Sequence, residues 1–207
     1  MKILIVGKMC SGKTTVANHL LEKYKYNTVS LAAPIKVMES ELADGIPSMT
    51  IVHKYMDHLD PMQKAMFKNI LDEALLIPRE HPKPRKRLQF IGTEGGRNRI
   101  SQSLWIDLAN RTAETMSNAI IDDVRFVNEF KYFRERGWKA IILTIAPDVQ
   151  ENRIRQLYGK FDPAALSHPS ETGVTDIINL NDADLTIDTN NEISHTLQTI
   201  DEAIEQW

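Results

Sequence analysis

Cysteine is nearly missing from this chain: Cys10 is the only one in 207 residues. A lone thiol excludes an internal disulfide and a cysteine-rich zinc site, so a reducing cytoplasm is the expected setting. No charged-then-apolar leader and no long apolar run is present, so neither export nor membrane insertion is expected. Charge of one sign is also lacking. Lysine and arginine number 25 against 28 aspartates and glutamates, a formal charge of -3, which gives no global attraction to nucleic acid or acidic lipid. Stable nucleic-acid binding and membrane partners are therefore not expected. Nine glycines and nine prolines are too few for a collagen-like or low-complexity chain. With 42% hydrophobic residues the chain can bury an ordinary core, and its length fits a single domain, 1–207. It shows no internal repeat and no heptad run.

Hydrophobic patterning alternates strands with helices. Lys2–Val6 is an apolar run suited to a strand buried on both faces, followed by a helix over 13–25. Further strands are expected at 27–31, 118–122, 138–145 and 184–188. Helices are expected from Ala33-Pro34, over 62–76, 85–91, 102–116, 126–136 and 148–158, and over 192–206. Residues 159–173 read as a loop. Such alternation implies right-handed crossovers and a parallel sheet covered on both faces, an α/β three-layer architecture.

Between the first strand and the first helix lies Gly7-Lys8-Met9-Cys10-Ser11-Gly12-Lys13-Thr14, a G-x-x-x-x-G-K-[ST] sequence in the context that its phosphate-cradling role requires. Gly7 and Gly12 let the backbone curl so that successive N–H groups face phosphate oxygens, and the helix N-terminus adds its positive dipole end. Lys13 is expected to bridge the β- and γ-phosphates of ATP, and the Thr14 hydroxyl to ligate Mg²⁺, with Thr15 as a second candidate. Lys8, Cys10 and Ser11 complete the ATP-binding loop; Cys10 reads as a filler in preference to a redox switch.

The carboxylate expected to hold the metal closes the third strand. Asp123 is favoured and Asp122 is the alternative, since neighbouring strand residues face opposite sides. A helix N-cap is the plainer reading of the pair. Arg125, two residues on, is placed for an acceptor phosphate, with a surface pair to Glu129 as its plain alternative.

Asp122-Asp123-Val124-Arg125-Phe126-Val127-Asn128-Glu129 resembles the D-V-R-F-x-N-E stretch of bacteriophage-type deoxynucleoside monophosphate kinases. Ser30–Lys36 resembles that family's F-A-x-P-L-K element, and Leu88-Gln89-Phe90-Ile91-Gly92-Thr93-Glu94 with Arg97 and Trp105 is similar to its L-Q-x-x-G-T-E…R…W block. Ser167-His168-Pro169-Ser170-Glu171 resembles its H-x-S-E segment. The resemblance implies a five-stranded P-loop kinase fold with a helical monophosphate-binding insertion, 33–117, and a lid, 148–173. It implies transfer of the ATP γ-phosphoryl group to a deoxynucleoside 5′-monophosphate, giving the diphosphate and ADP for DNA precursor supply. Lys36, Arg97 and Arg125 would bind the acceptor, while Gln89 and Trp105 would line its base or sugar pocket. Each has a plainer reading: Lys36 a solvated face, Arg97 a solvated loop, Trp105 core at helical spacing with Leu104 and Leu108.

On the helix from Asp148, Val149, Ile154, Leu157 and Tyr158 define the apolar face and Arg153 falls on its flank, so Arg153 is the expected lid arginine; a stem snorkelling along the core is the alternative. Ser170 and Glu171 organise the closed lid or cap a loop. In the loop after the last strand, Asn190 is expected to contact adenine, on the resemblance alone. Pro78–Arg87, with five cations against one acid, reads as a solvated linker. Competing functions are another small-metabolite kinase, of the phosphomevalonate or dephospho-coenzyme A type, and a nucleotide-dependent switch acting through a partner. A homodimer is left open, and a viral source, to which the family leans, would place the protein in the host cytoplasm.

Overall fold

Every residue of β1 (Lys2–Gly7) after the first is buried, because its apolar side chains alternate between two covered faces of one sheet. The structure, a computed structural model, describes residues 1–81, 83–159, 161, 163, 166 and 169–207, without the side chains of Pro169 and Ser170. β2 (Asn27–Thr28), β3 (Ala119–Ile121), β4 (Lys139–Thr144) and β5 (Leu185–Asp188) complete a sheet in the order β2-β3-β1-β4-β5, with every pairing parallel. The five-stranded parallel α/β fold is as the sequence implied.

Two units divide the chain: Met1–Val29 with Thr112–Trp207, and Ser30–Arg111. In the first, α1 (Lys13–Tyr24) and α10 (Ile193–Gln206) cover one sheet face. Val16, Leu20 and Ile200 pack there on Ile3, Ile5, Ile120, Ile141 and Ile187. On the remaining elements, α7 (Val127–Arg134) packs with α9 (Pro169–Asn179), α9 reaches β1, and α8 (Pro147–Tyr158) follows β4. Register aligns the carboxyl ends: Gly7 pairs with Leu143, and Thr144 with Asp188. The phosphate loop and the segments after β3 and β5 therefore open on one sheet edge, where ligands of such sheets bind.

The second unit is helical: α2 (Ala33–Ala43), α3 (Ser48–Tyr55), α4 (Pro61–Leu75), α5 (Arg85–Gln89), a π-helical segment (Phe90–Ile100) and the start of α6 (Leu104–Glu114). The helix α3 has no counterpart in the sequence reading, since Ile51 and Val52 are β-branched and carry a weak helical signal; burial of Ile51, Val52 and Met56 outweighs that preference. The capping box of Asp60 and Gln63 starts α4.

Several boundaries differ from expectation for local reasons. The second strand stops at Thr28 because the Ala33 N–H donates to the Ser30 hydroxyl at 2.9 Å and turns the chain into α2. The expected loop over 159–173 instead contains the first turn of α9. Gly173 reads as a loop residue but serves close approach: a Cβ there would lie 2.4 Å from the Arg125 carbonyl oxygen. The basic run is not all solvated linker. Arg79 pairs with the buried Glu39 carboxylate at 2.9 Å, and Arg87 donates to the Ile77 carbonyl at 2.7 Å.

Candidate active site

The loop between β1 and α1 owes its shape to its glycines. A Cβ on Gly7 would sit 2.4 Å from the Ser11 hydroxyl and 2.8 Å from the Leu143 carbonyl oxygen. Gly12 has a φ of 94°, and Cys10 also adopts a left-handed backbone, with φ 61°. Gly12 precedes α1 without a side-chain cap. The first-turn N–H groups of α1 thus have no side-chain acceptor from their N-cap, the condition in which a helix end accepts an anion. The Ser11 hydroxyl is buried and has no hydrogen-bond partner among the described residues.

Lys13 is 8% exposed and its ammonium donates to the carbonyls of Gly7 at 2.7 Å and Lys8 at 2.8 Å. Burial, with Arg125 nearby, pushes its pKa down to about 8. A cation so poorly solvated gains when negative charge arrives. Cys10 has its thiol pKa raised, chiefly by burial, which disfavours the thiolate.

Asp122 and Asp123 both lie just past β3, half-buried. The Asp122 carboxyl is pushed up by burial and then by the charge of Asp123, and it feels Lys13 and Arg125. Two adjacent carboxylates, the Asp122 one partly desolvated, concentrate negative charge at the end of β3. A divalent cation relieves that repulsion, so the pair and the Thr14 hydroxyl are the groups that could hold Mg²⁺.

Glu129 meets Arg125 at its backbone. The Glu129 carboxylate, buried at the start of α7, accepts the backbone N–H groups of Arg125 at 2.8 Å and Phe126 at 3.1 Å. This fixes the turn that presents the Arg125 side chain, whose Nη1 donates to Glu171 Oε1 at 3.0 Å. Glu171 Oε2 accepts the Met9 N–H at 2.9 Å.

Two α8 residues reach the same loop. Gln150 donates to the Met9 carbonyl at 2.9 Å, and Arg153 donates to the Thr189 carbonyl at 2.6 Å and the Cys10 carbonyl at 3.3 Å. Gln150 was not a sequence candidate; its one signal is a polar side chain on the buried face of an amphipathic helix. A cavity of about 690 Å³ lies against the loop, lined by Cys10 to Thr15, by Arg153, Gln156 and Tyr158, and by Thr189, Asn191 and Thr196. Lys13, Thr14, Thr15 and Arg153 are thus brought together. The Asn190 Oδ1 accepts the Ala146 N–H at 2.7 Å, bracing the loop, while Asn191 lines the cavity.

In the helical unit, Lys36 is exposed on the first turn of α2, Gln89 is exposed at the end of α5, and Arg97 is half-buried in the π-helical segment. Trp105 needs correction as a stacking surface. It is 2% exposed, its indole N–H donates to the Gly92 carbonyl at 2.7 Å, and its ring meets Phe67 edge-on. Gly95 and Gly96 are likewise packing residues. A Cβ on Gly95 would lie 2.3 Å from Ile70, and one on Gly96 2.5 Å from Trp105. The Ser167-His168 part of the expected lid motif and the side chain of Ser170 lie outside the described residues.

No family model matches the chain. Among curated proteins it is 30% identical over 96 residues, 44% of its length, to the deoxynucleoside-5′-monophosphate kinase of Escherichia phage T5. The match spans 34% of that relative, so the chain corresponds to about a third of its length. Solved structures share the fold over nearly all of both chains. A protein from Thermus thermophilus aligns with a TM-score of 0.62 at 14% identity, covering 100% of this chain and 96% of that one. The shikimate kinase of Bacteroides thetaiotaomicron gives 0.52 at 17%, covering 99% and 98%. The gluconokinase of Sinorhizobium meliloti gives 0.51 at 12%, covering 99% and 91%. These likenesses show a P-loop kinase fold.

Proposed function

We propose that the protein is an ATP-dependent kinase acting on a deoxynucleoside 5′-monophosphate, yielding the diphosphate and ADP. The observation that carries this reading is one cluster on the carboxyl edge of the sheet: a phosphate loop with a desolvated Lys13, a paired carboxylate at Asp122-Asp123, and Arg125 held beside them. The partial identity to the phage enzyme favours a deoxynucleotide acceptor.

The chemistry is in-line transfer between two phosphates with no covalent enzyme intermediate. An acceptor phosphate is already ionised, so it needs little from a general base, and catalysis rests on position and charge. The backbone N–H groups from Cys10 to Thr14 hold the donor's terminal phosphates. Lys13 turns from the Gly7 and Lys8 carbonyls to the β- and γ-phosphates, where its charge is better compensated. Thr14 with one carboxylate of the Asp122-Asp123 pair would hold Mg²⁺, which supplies charge screening on the phosphate oxygens when bound; Asp123 is the favoured ligand from the sequence, while the charge of Asp122 is the one felt at Lys13. Arg125 binds the acceptor phosphate, and Arg153 neutralises charge on the transferring group. Residues 148–173 serve as the lid that excludes water. Lys36, Gln89 and Arg97 are the acceptor-binding candidates within the helical unit. Asn191, with Tyr158 on the rim, is placed for the donor base.

Other small-metabolite acceptors are the second reading, favoured by the shared frame with shikimate and gluconate kinases. The test offers ATP and Mg²⁺ with each deoxynucleoside monophosphate, AMP, phosphomevalonate, dephospho-coenzyme A, shikimate and gluconate in turn, following ADP and the phosphorylated product. Product with one or more deoxynucleotides alone is the expected result. Product only with a different acceptor overturns the substrate class, and ATP binding without any acceptor-dependent product favours a switch.

A further inference from the structure

We infer that Glu171 is an internal anion that occupies the phosphate loop when no nucleotide is bound, and that an incoming polyphosphate must displace it. The inference rests on reading the loop as a polyphosphate site. Glu171 is 8% exposed and bridges two groups that the proposed chemistry needs elsewhere: its Oε2 accepts the Met9 N–H at 2.9 Å and its Oε1 accepts from Arg125 Nη1 at 3.0 Å. Its charge is felt at Lys13 and at Cys10. The next peptide group is held by Gln150, 3% exposed, which donates to the Met9 carbonyl. Glu171 therefore meets a fixed donor.

Packing builds the contact. Gly173, two residues on, lies so close to the Arg125 carbonyl oxygen that a Cβ would be 2.4 Å from it, so α9 is seated on the segment that carries Arg125. In the same state Lys13 donates to loop carbonyls and Arg153 to the carbonyls of Cys10 and Thr189. In the empty site Lys13, Arg125, Arg153 and the Met9 N–H are thus engaged by the protein's own groups. A carboxylate brings one negative charge and two acceptor oxygens. A triphosphate or diphosphate brings more of both and displaces it, whereas a single phosphate gains little over the resident group. Displacement releases the Met9 N–H and Arg125 together, so donor binding readies the acceptor arginine.

The affinity cost follows from the occupied fraction: a contact engaged in nine molecules of ten weakens apparent binding about tenfold. Calorimetric titration of the full chain with MgATP, MgADP and inorganic phosphate tests this in wild type, Glu171→Gln and Lys13→Ala. Glu171→Gln is expected to tighten MgATP and MgADP about tenfold and to bring inorganic phosphate into the measurable range. Unchanged or weaker binding, with binding still lost in Lys13→Ala, overturns the inference and makes Glu171 a prop for the loop. Undiminished binding in Lys13→Ala instead overturns the reading of the loop itself. A second measurement needs no variant: the Glu171 carboxyl ¹³C resonance of labelled wild type should move on adding MgADP, and a resonance that stays put contradicts displacement.

Discussion

Replacing Lys13 by methionine should make the empty protein more stable while abolishing phosphoryl transfer. The Lys13 pKa is about 8 in the fold against an ordinary 10.5, a difference of about 2.5 units, or about 3 kcal/mol of unfavourable charge burial. Below pH 8 the side chain is protonated in both folded and unfolded chains, and the full cost is present. Between pH 8 and 10.5 the unfolded chain binds the extra proton, so wild-type stability rises with pH. Above 10.5 the cost is gone. Methionine keeps most of the stem but leaves the Gly7 and Lys8 carbonyls without the ammonium, an offset of about 1–2 kcal/mol. The net gain for Lys13→Met at pH 7 is then about 1–2 kcal/mol, or roughly 2–8 °C in Tm for a chain of this size. Urea denaturation of both proteins at pH 7, 8.5 and 10 measures it. The advantage of the variant should shrink as pH rises and reverse near pH 10, where the remaining burial cost, about 0.8 kcal/mol, falls below the loss from the hydrogen bonds. A variant less stable than wild type at pH 7, or a gap independent of pH, refutes the claim that Lys13 is a desolvated cation held for an anionic ligand.

Other sites give sharper losses. Arg125→Ala should lower acceptor-dependent turnover about 10²–10³-fold in steady-state kinetics, as for removal of a charge-stabilising donor from a transfer site. Gly96→Ala places a methyl 2.5 Å from Trp105 and 2.9 Å from the Ile91 carbonyl oxygen and should cost about 1–3 kcal/mol in chemical denaturation. Glu39→Ala strands Arg79 and the buried Arg87 and should destabilise by about 3 kcal/mol, read by the same unfolding curves.

The strand-loop-helix start of the chain is legible because periodicity, glycine spacing and Lys13 agree on one structure. The parallel sheet follows from apolar runs at 2–6, 118–122 and 138–145, each close to an observed strand. Legibility fails where a residue type serves packing. Gly95, Gly96 and Gly173 look like flexible points, yet each gives way to a neighbour's atoms, information that lies in contacts distant along the chain. Trp105 was equally compatible with stacking and core until its indole N–H met Gly92. Glu129 and Glu171 show a further limit: their carboxylates act on backbone N–H groups, which every residue carries and no sequence pattern marks.

The most direct test of the account follows the γ-phosphoryl group itself. ATP labelled with ³²P at the γ position is incubated with Mg²⁺, the protein and each deoxynucleoside monophosphate, and the products are separated by thin-layer chromatography. The account expects label in a deoxynucleoside diphosphate, none bound to the protein, and loss of transfer in Lys13→Met. Label appearing only as inorganic phosphate, or covalently on the chain, would contradict direct transfer between two bound phosphates.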